Sequence, residues 1–132
     1  MGRRGQKESQ QEKIERITRL TGTIASIESY LRFFETQGEQ APDGCWVSRY
    51  QVRQKDKIYW YYKLQADRPI FEQKKGQSLS KYQHLGKAGT QSHVDAVIGV
   101  LRRSLVTELQ STIDSLKNCL VDIAFDGEQE SK

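Results

Sequence analysis

The chain alternates between stretches with a helical and stretches with an extended pattern of apolar positions. From residue 10 to residue 36, apolar residues recur at intervals of three and four, which predicts a long amphipathic helix. They are Ile17, Leu20, Ile24, Ile27, Leu31 and Phe34. The same spacing returns between residues 92 and 125, in Leu101, Leu105, Leu109, Ile113, Leu116, Leu120 and Ile123. Ser92, with Asp95 three residues later, predicts the N-cap of this second helix.

Between the helices, the segment from Trp46 to Lys63 alternates with the period of two that half-buried β-strands show. It predicts a hairpin that turns near Lys55-Asp56-Lys57. Its apolar face is predicted to hold Trp46, Tyr50, Val52, Ile58, Trp60, Tyr62 and Leu64. The opposite, basic and aromatic face is predicted to hold Arg49, Gln51, Arg53, Tyr59, Tyr61 and Lys63.

The segment after the hairpin predicts a third strand. Pro69 ends the second strand, because proline has no amide donor for the ladder. A mobile basic loop over Glu72–Gln77 and a strand over Leu79–Leu85 then follow, so the sheet spans residues 46–85.

Together these elements predict an α+β fold. A three-stranded antiparallel sheet packs on the start of the long C-terminal helix, and the N-terminal helix pairs with the far half of that helix. We expect one domain over residues 10–125, between a disordered basic tail at residues 1–9 and an acidic tail at residues 126–132.

Charge is distributed unevenly along the 132 residues, whose net charge is +4. Residues 1–45 hold seven basic and seven acidic side chains, residues 46–103 hold twelve and four, and residues 104–132 hold two and six. A basic middle segment favours a polyanionic partner, although basic residues also serve solubility.

Several observations point to a cytoplasmic protein. No apolar run approaches the ~20 residues of a membrane helix, and the charged N-terminus has no apolar signal segment. The two cysteines, Cys45 and Cys119, do not make a disulfide framework.

The sequence matches no motif of an enzyme active site or a metal site, so we expect a non-enzymatic protein without a cofactor. Cys45, His84, His93 and Cys119 match no metal-site spacing. Gly86-Lys87 resembles the end of a phosphate-binding loop, but Lys81 and Ala88 stand where that motif needs Gly and Ser or Thr. Lys87 and the amides that begin the second helix remain candidates for one backbone phosphate, although a simple strand-to-helix turn is the favoured interpretation.

Basic and aromatic residues cluster in the middle of the chain. Arginine and glutamine contact base edges, lysine contacts phosphates, and tyrosine stacks on unpaired bases. The predicted nucleic-acid-binding residues are Arg49, Gln51, Arg53, Lys55, Lys57, Tyr59, Tyr61, Lys63, Lys74, Lys75, Lys81, Lys87, Arg102 and Arg103. A solvated sheet face with tyrosines of high β-propensity gives the same pattern.

Two resemblances extend this interpretation. The order hairpin, third strand, long helix over residues 46–110 is similar to the arm-binding domains of tyrosine integrases and to the plant AP2 domain, which place a three-stranded sheet in the major groove. The tyrosine strand Ile58–Tyr62, the segment Lys81–Lys87 and the pair Arg102-Arg103 resemble short uncharacterised bacterial proteins from cyanobacterial and mobile-element contexts. Many of those carry a cysteine cluster where this chain has only Cys45, so no metal role is carried over.

The sequence therefore predicts a nucleic-acid-binding protein that uses its sheet face, with DNA favoured over RNA. The alternative is a protein-interaction adaptor that works through its amphipathic helices. A homodimer formed through those helices is compatible with both interpretations.

Overall fold

A computed structural model describes residues 8–76 and 78–127. Its elements are α1 (Gln10–Thr36), β1 (Cys45–Gln54), β2 (Lys57–Ala66), β3 (Tyr82–Lys87) and α2 (Gln91–Ala124). The strands form one antiparallel sheet in the order β1-β2-β3. The predicted α+β fold and hairpin are confirmed. Most of the predicted N-terminal tail, Gln77 of the predicted basic loop and the end of the acidic tail lie outside the described residues.

The chain divides into two compact units. The helical unit comprises the described parts of Met1–Phe33 and Thr107–Lys132, and the sheet unit comprises Phe34–Val106. Each long helix contributes a segment to both units. The single domain expected over residues 10–125 stays a prediction.

In the helical unit, the second half of α2 packs on α1. Ile24, Leu31, Ile113 and Ile123 are buried, as their spacing predicts, and Lys117 forms an ion pair of 3.7 Å with Glu28. Cys119 is half-buried. Sequence reasoning placed the start of α1 correctly but missed its cap.

That cap is Ser9, whose Oγ accepts a hydrogen bond of 3.1 Å from the amide of Glu12. A serine followed three residues later by glutamate is a common signature of a helix start. Ser9, the last residue of the tail predicted over residues 1–9, therefore caps α1.

In the sheet unit, the first part of α2 packs on the sheet around a small core. The buried residues of this core are Cys45, Leu64, Ala66, Phe71, Leu85 and Ala96. The helix approaches the chain closely at Gly99, whose carbonyl accepts a bond of 3.0 Å from the amide of Ala41. A Cβ at Gly99 would lie 3.3 Å from that amide nitrogen. Leu101, which the sequence pattern assigned to the core stripe, is 53% exposed.

The third strand begins later than predicted. Phe71 and Ser80 first form an isolated antiparallel bridge, with amide-to-carbonyl distances of 2.9 and 2.7 Å. This bridge closes the preceding loop, so β3 starts at Tyr82 and Leu79 is left 50% exposed. The strand then runs on to Lys87 past a bulge, where Gly86 adopts a φ of +88°.

The start of α2 also differs from the prediction, because Thr90 and not Ser92 is the N-cap. The hydroxyl of Thr90 accepts a bond of 3.3 Å from the His93 amide and donates one of 2.9 Å to the Leu85 carbonyl. His93 Nδ1 in turn accepts a bond of 3.1 Å from the Gly89 amide. These three bonds tie the end of β3 to the beginning of α2. Sequence reasoning chose Ser92 because the carboxylate of Asp95 follows it at the N3 position, whereas His93 stands at that spacing from Thr90.

We expect Thr90→Ala to lower the free energy of unfolding by about 1–2 kcal/mol, because a helix-capping oxygen and a strand-to-helix bond are both lost. Ser92 is the second residue of α2. Ser92→Ala should therefore change the free energy of unfolding by less than about 0.5 kcal/mol. Urea denaturation followed by circular dichroism measures both. A larger loss for Ser92→Ala than for Thr90→Ala would contradict this assignment of the cap.

Candidate nucleic-acid interface

The pairing of β1 with β2 determines which side chains share each face of the sheet. Facing residues on paired strands point to the same side, and Tyr50 faces Tyr61 while Arg49 faces Tyr62. One side, the helix-side face, contains Cys45, Val47, Arg49, Gln51, Arg53, Ile58, Trp60, Tyr62, Leu64 and Ala66. The other side, the open face, contains Trp46, Ser48, Tyr50, Val52, Gln54, Lys57, Tyr59, Tyr61, Lys63, Gln65, Tyr82, His84 and Lys87.

The predicted division of the hairpin into an apolar and a basic face is wrong. Arg49, Gln51 and Arg53 lie on the same side as Trp60 and Tyr62, opposite to the tyrosines and lysine with which they were grouped.

The reason is the length of the turn. Gln54 faces Lys57, so the loop contains only Lys55 and Asp56, with φ values of 47° and 65°. Positive φ at both positions is typical of the two-residue hairpin turn. A turn centred on Asp56 would have shifted the pairing by one residue, and such a shift moves every side chain of one strand to the other face.

Trp60 is therefore not a core residue. It is 40% exposed, and the Arg49 guanidinium lies 4.0 Å from the centre of its ring. The apolar core lies at the other end of the hairpin, around Leu64 and Ala66.

The open face carries a cluster of tyrosines with lysine ammonium groups set among the rings. Lys63 Nζ lies 4.3 Å from the ring centre of Tyr82 and 5.2 Å from that of Tyr50. Lys87 Nζ lies 4.7 Å from the ring centre of Tyr59 and 5.9 Å from that of Tyr61. Cation–π contacts of this kind hold an ammonium group beside a ring without neutralising its charge. We call these six residues the tyrosine–lysine cluster.

Further contacts order the cluster across all three strands. The rings of Tyr50 and Tyr61 stack with centres 5.9 Å apart. The Tyr50 hydroxyl and His84 Nδ1 are hydrogen-bonded at 2.9 Å. The open face holds no Asp or Glu, so its local charge is positive. Such a surface offers cations and aromatic faces together.

Tyr50, Tyr82, His84 and Trp46 were missed as site residues by sequence reasoning. The first and last of these were assigned to the apolar face through the shifted register. Tyr82 and His84 had no assigned face, because the position of β3 depends on the Phe71–Ser80 bridge. Alternation along β1, combined with a two-residue turn, was the signal that could have placed Tyr50 and Trp46 on the same face as Tyr59 and Tyr61.

The other predicted residues do not all join this cluster. Lys57 shares the open face near the turn, where Gln54, Lys55, Lys57 and Tyr59 line a shallow concavity. Arg53 is exposed close by, on the helix-side face. Lys74, Lys75 and Lys81 are exposed in the connection between β2 and β3.

Arg102 and Arg103 serve the structure itself. Arg103 Nη1 donates hydrogen bonds of 2.6 and 2.8 Å to the carbonyls of Pro42 and Cys45. Arg102 is half-buried, and its guanidinium lies so close to Gly38 that a Cβ added at this glycine would be 3.1 Å from it. Arg103 holds the segment before β1 against α2, and Arg102 lies against the same segment at Gly38, so we leave both out of the candidate interface.

Comparison with protein-family models, with curated proteins and with solved structures finds no match. The resemblances drawn from the sequence therefore stay predictions. Among the described residues, no helix is both long and apolar enough to cross a bilayer. Over the same ranges, His, Cys, Asp and Glu side chains form no group of three or more that suits a metal ion.

Proposed function

We propose that this chain is a non-enzymatic nucleic-acid-binding protein that contacts its ligand through the open face, with DNA favoured over RNA. The observation that carries the proposal is the tyrosine–lysine cluster, in which Lys63 and Lys87 lie within 4.3–5.9 Å of four tyrosine rings. Proteins that follow a nucleic-acid strand combine a positively charged groove with aromatic side chains on which bases stack.

The charge around this face supports the same proposal. Residues 46–103 hold eight more basic than acidic side chains. Lys57 lies on the open face, and Lys55 is exposed in the hairpin turn. Neutralisation of phosphates by such side chains releases counterions and supplies most of the sequence-independent affinity for nucleic acid.

The corrected faces supply a matched pair of charge variants. We expect Lys63→Gln with Lys87→Gln to weaken DNA binding and to reduce the slope of log affinity against log salt by about two phosphate contacts, roughly 0.7–0.9 each. Arg49→Gln with Arg53→Gln removes the same charge from the helix-side face and should have a smaller effect. Fluorescence anisotropy over a salt series, with single-stranded and duplex DNA, measures both.

Circular dichroism and melting temperature check that both variants are folded. An equal loss in the two variants would indicate general attraction to a basic protein and not an interface on the open face. Failure of wild-type protein to bind either form of DNA at low salt would contradict the preference for DNA, and failure to bind RNA as well would contradict the proposed function itself.

A second candidate function, a protein-interaction adaptor, is supported by a different observation. The first part of α2 carries an exposed apolar stripe of Val94, Val97, Ile98 and Leu101, with exposures of 42–53%. Residues at these spacings lie on one helix face. Exposed contiguous apolar surface is typical of protein contacts. As the partner for this stripe we propose first a second copy of the chain.

Sedimentation velocity tests this candidate. We expect the wild-type protein to be a dimer and the variant with Ile98→Glu and Leu101→Glu to be a monomer, because buried unpaired carboxylates oppose association. The Lys63 and Lys87 substitutions should leave the dimer intact. A wild-type monomer at all accessible concentrations would remove the homodimer and leave a different protein partner as the remaining form of the adaptor.

A further inference from the structure

We infer that the ligand of the open face is a nucleic acid with unpaired bases, single-stranded and not duplex. This inference rests on the proposed function and deepens it by naming the form of the ligand. It differs from the major-groove recognition that the resemblance to integrase arm-binding and AP2 domains implies.

The first argument is the location of the side chains that read duplex DNA. In a duplex the base faces are hidden by stacking, and a protein reads base edges with bidentate groups such as arginine, glutamine and asparagine. Of the hairpin residues of this kind, Arg49, Gln51 and Arg53 lie on the helix-side face, and the open face has only Gln54, beside the turn, and Gln65. On the open face, the Gln65 carboxamide oxygen already accepts a bond of 3.2 Å from the Ser48 hydroxyl.

The second argument is what the open face offers in place of such groups. Tyr82 and Trp46 are 41% and 40% exposed, and Tyr50, Tyr59 and Tyr61 are half-buried. These rings are distributed over all three strands. Unpaired bases expose π-faces that stack on aromatic rings, whereas paired bases inside a duplex do not.

The third argument concerns the backbone of the ligand. The two ammonium groups lie over the rings and not at a separate edge, since each is within 6 Å of two tyrosine ring centres. A base that stacks on Tyr59 or Tyr82 would take the place of the ammonium group over that ring, and Lys87 or Lys63 would then be within reach of the phosphate of the same nucleotide. Neighbouring strands lie ~4.8 Å apart, so a three-stranded face has room for about two or three bases.

The experiment compares three ligands of about 20 nucleotides by fluorescence anisotropy at one salt concentration: oligo(dT), the oligo(dA)·oligo(dT) duplex and oligo(U). That length exceeds the ~4–16 nucleotides that one small domain covers. We expect oligo(dT) to bind at least about tenfold more tightly than the duplex. Oligo(U) separates a DNA from an RNA ligand, and tight binding of either single strand supports the inference.

Ring-removal variants test whether stacking is the cause. Tyr59→Leu and Tyr82→Leu, measured separately, should each weaken oligo(dT) binding by about five- to a hundredfold while the salt dependence stays unchanged, because no charge is removed. Trp60→Leu is the matched control, on the same strand as Tyr59 but on the other face, and should leave affinity unchanged. Tyr59→Phe keeps the ring and should bind like wild type.

The outcomes separate the two levels of the proposal. Tighter binding of the duplex than of oligo(dT) and oligo(U) would overturn the single-strand inference while the proposed function stands. Equal losses for Tyr59→Leu and Trp60→Leu would overturn stacking on the open face. No binding of any of the three ligands would overturn the proposed function and the inference with it.

Discussion

The two-residue turn at Lys55-Asp56 is the constraint on which the arrangement of the sheet depends. Both residues adopt left-handed backbone conformations, which cost roughly 1–2 kcal/mol for each residue other than glycine. The ten facing pairs of β1 and β2 offset this cost. With this pairing, Cys45, Leu64 and Ala66 meet in the core, while Tyr50 and Tyr61 meet on the opposite side. A shift by one residue would bury Lys63 and Gln65 in place of Leu64 and Ala66, and the cost of burying an unpaired ammonium group opposes it.

The helix leaves one side of the sheet free because its contacts all lie on the other side. Ala96 and Gly99 let α2 approach closely, and Arg103 ties the segment before β1 to the helix through the carbonyls of Pro42 and Cys45. Thr90 joins the end of β3 to the beginning of α2. The open face therefore keeps its rings and ammonium groups available.

Its tyrosines are ordered by contacts with one another and with Lys63, Lys87 and His84, before any ligand binds. Such ordering in advance lowers the entropy that binding would otherwise lose.

The elements of the fold were more predictable than the site. Apolar spacing of three and four places both long helices within about one residue of their ends, because burial of an amphipathic stripe dominates helix formation. Alternation likewise identifies both strands of the hairpin. The site depended on whether the hairpin loop contains two or three residues. The dipeptide Lys55-Asp56 does not specify this number, because it is not the Asn-Gly or Asp-Gly pair that marks a two-residue loop. Leu101 illustrates a second limit. Its spacing fits the helical stripe, but small residues at positions 96 and 99 rotate the contact surface away from it.

The two tryptophans provide the most direct test of the central claim, because Trp46 lies on the open face and Trp60 on the helix-side face. Trp60→Phe leaves Trp46 as the only tryptophan, and Trp46→Phe leaves Trp60. Fluorescence of each single-tryptophan protein would be titrated with single-stranded DNA. We expect quenching or a spectral shift of Trp46 at the concentrations where anisotropy reports binding, and an unchanged signal from Trp60. A response from Trp60 with none from Trp46 would place the ligand on the other side of the sheet and contradict the account.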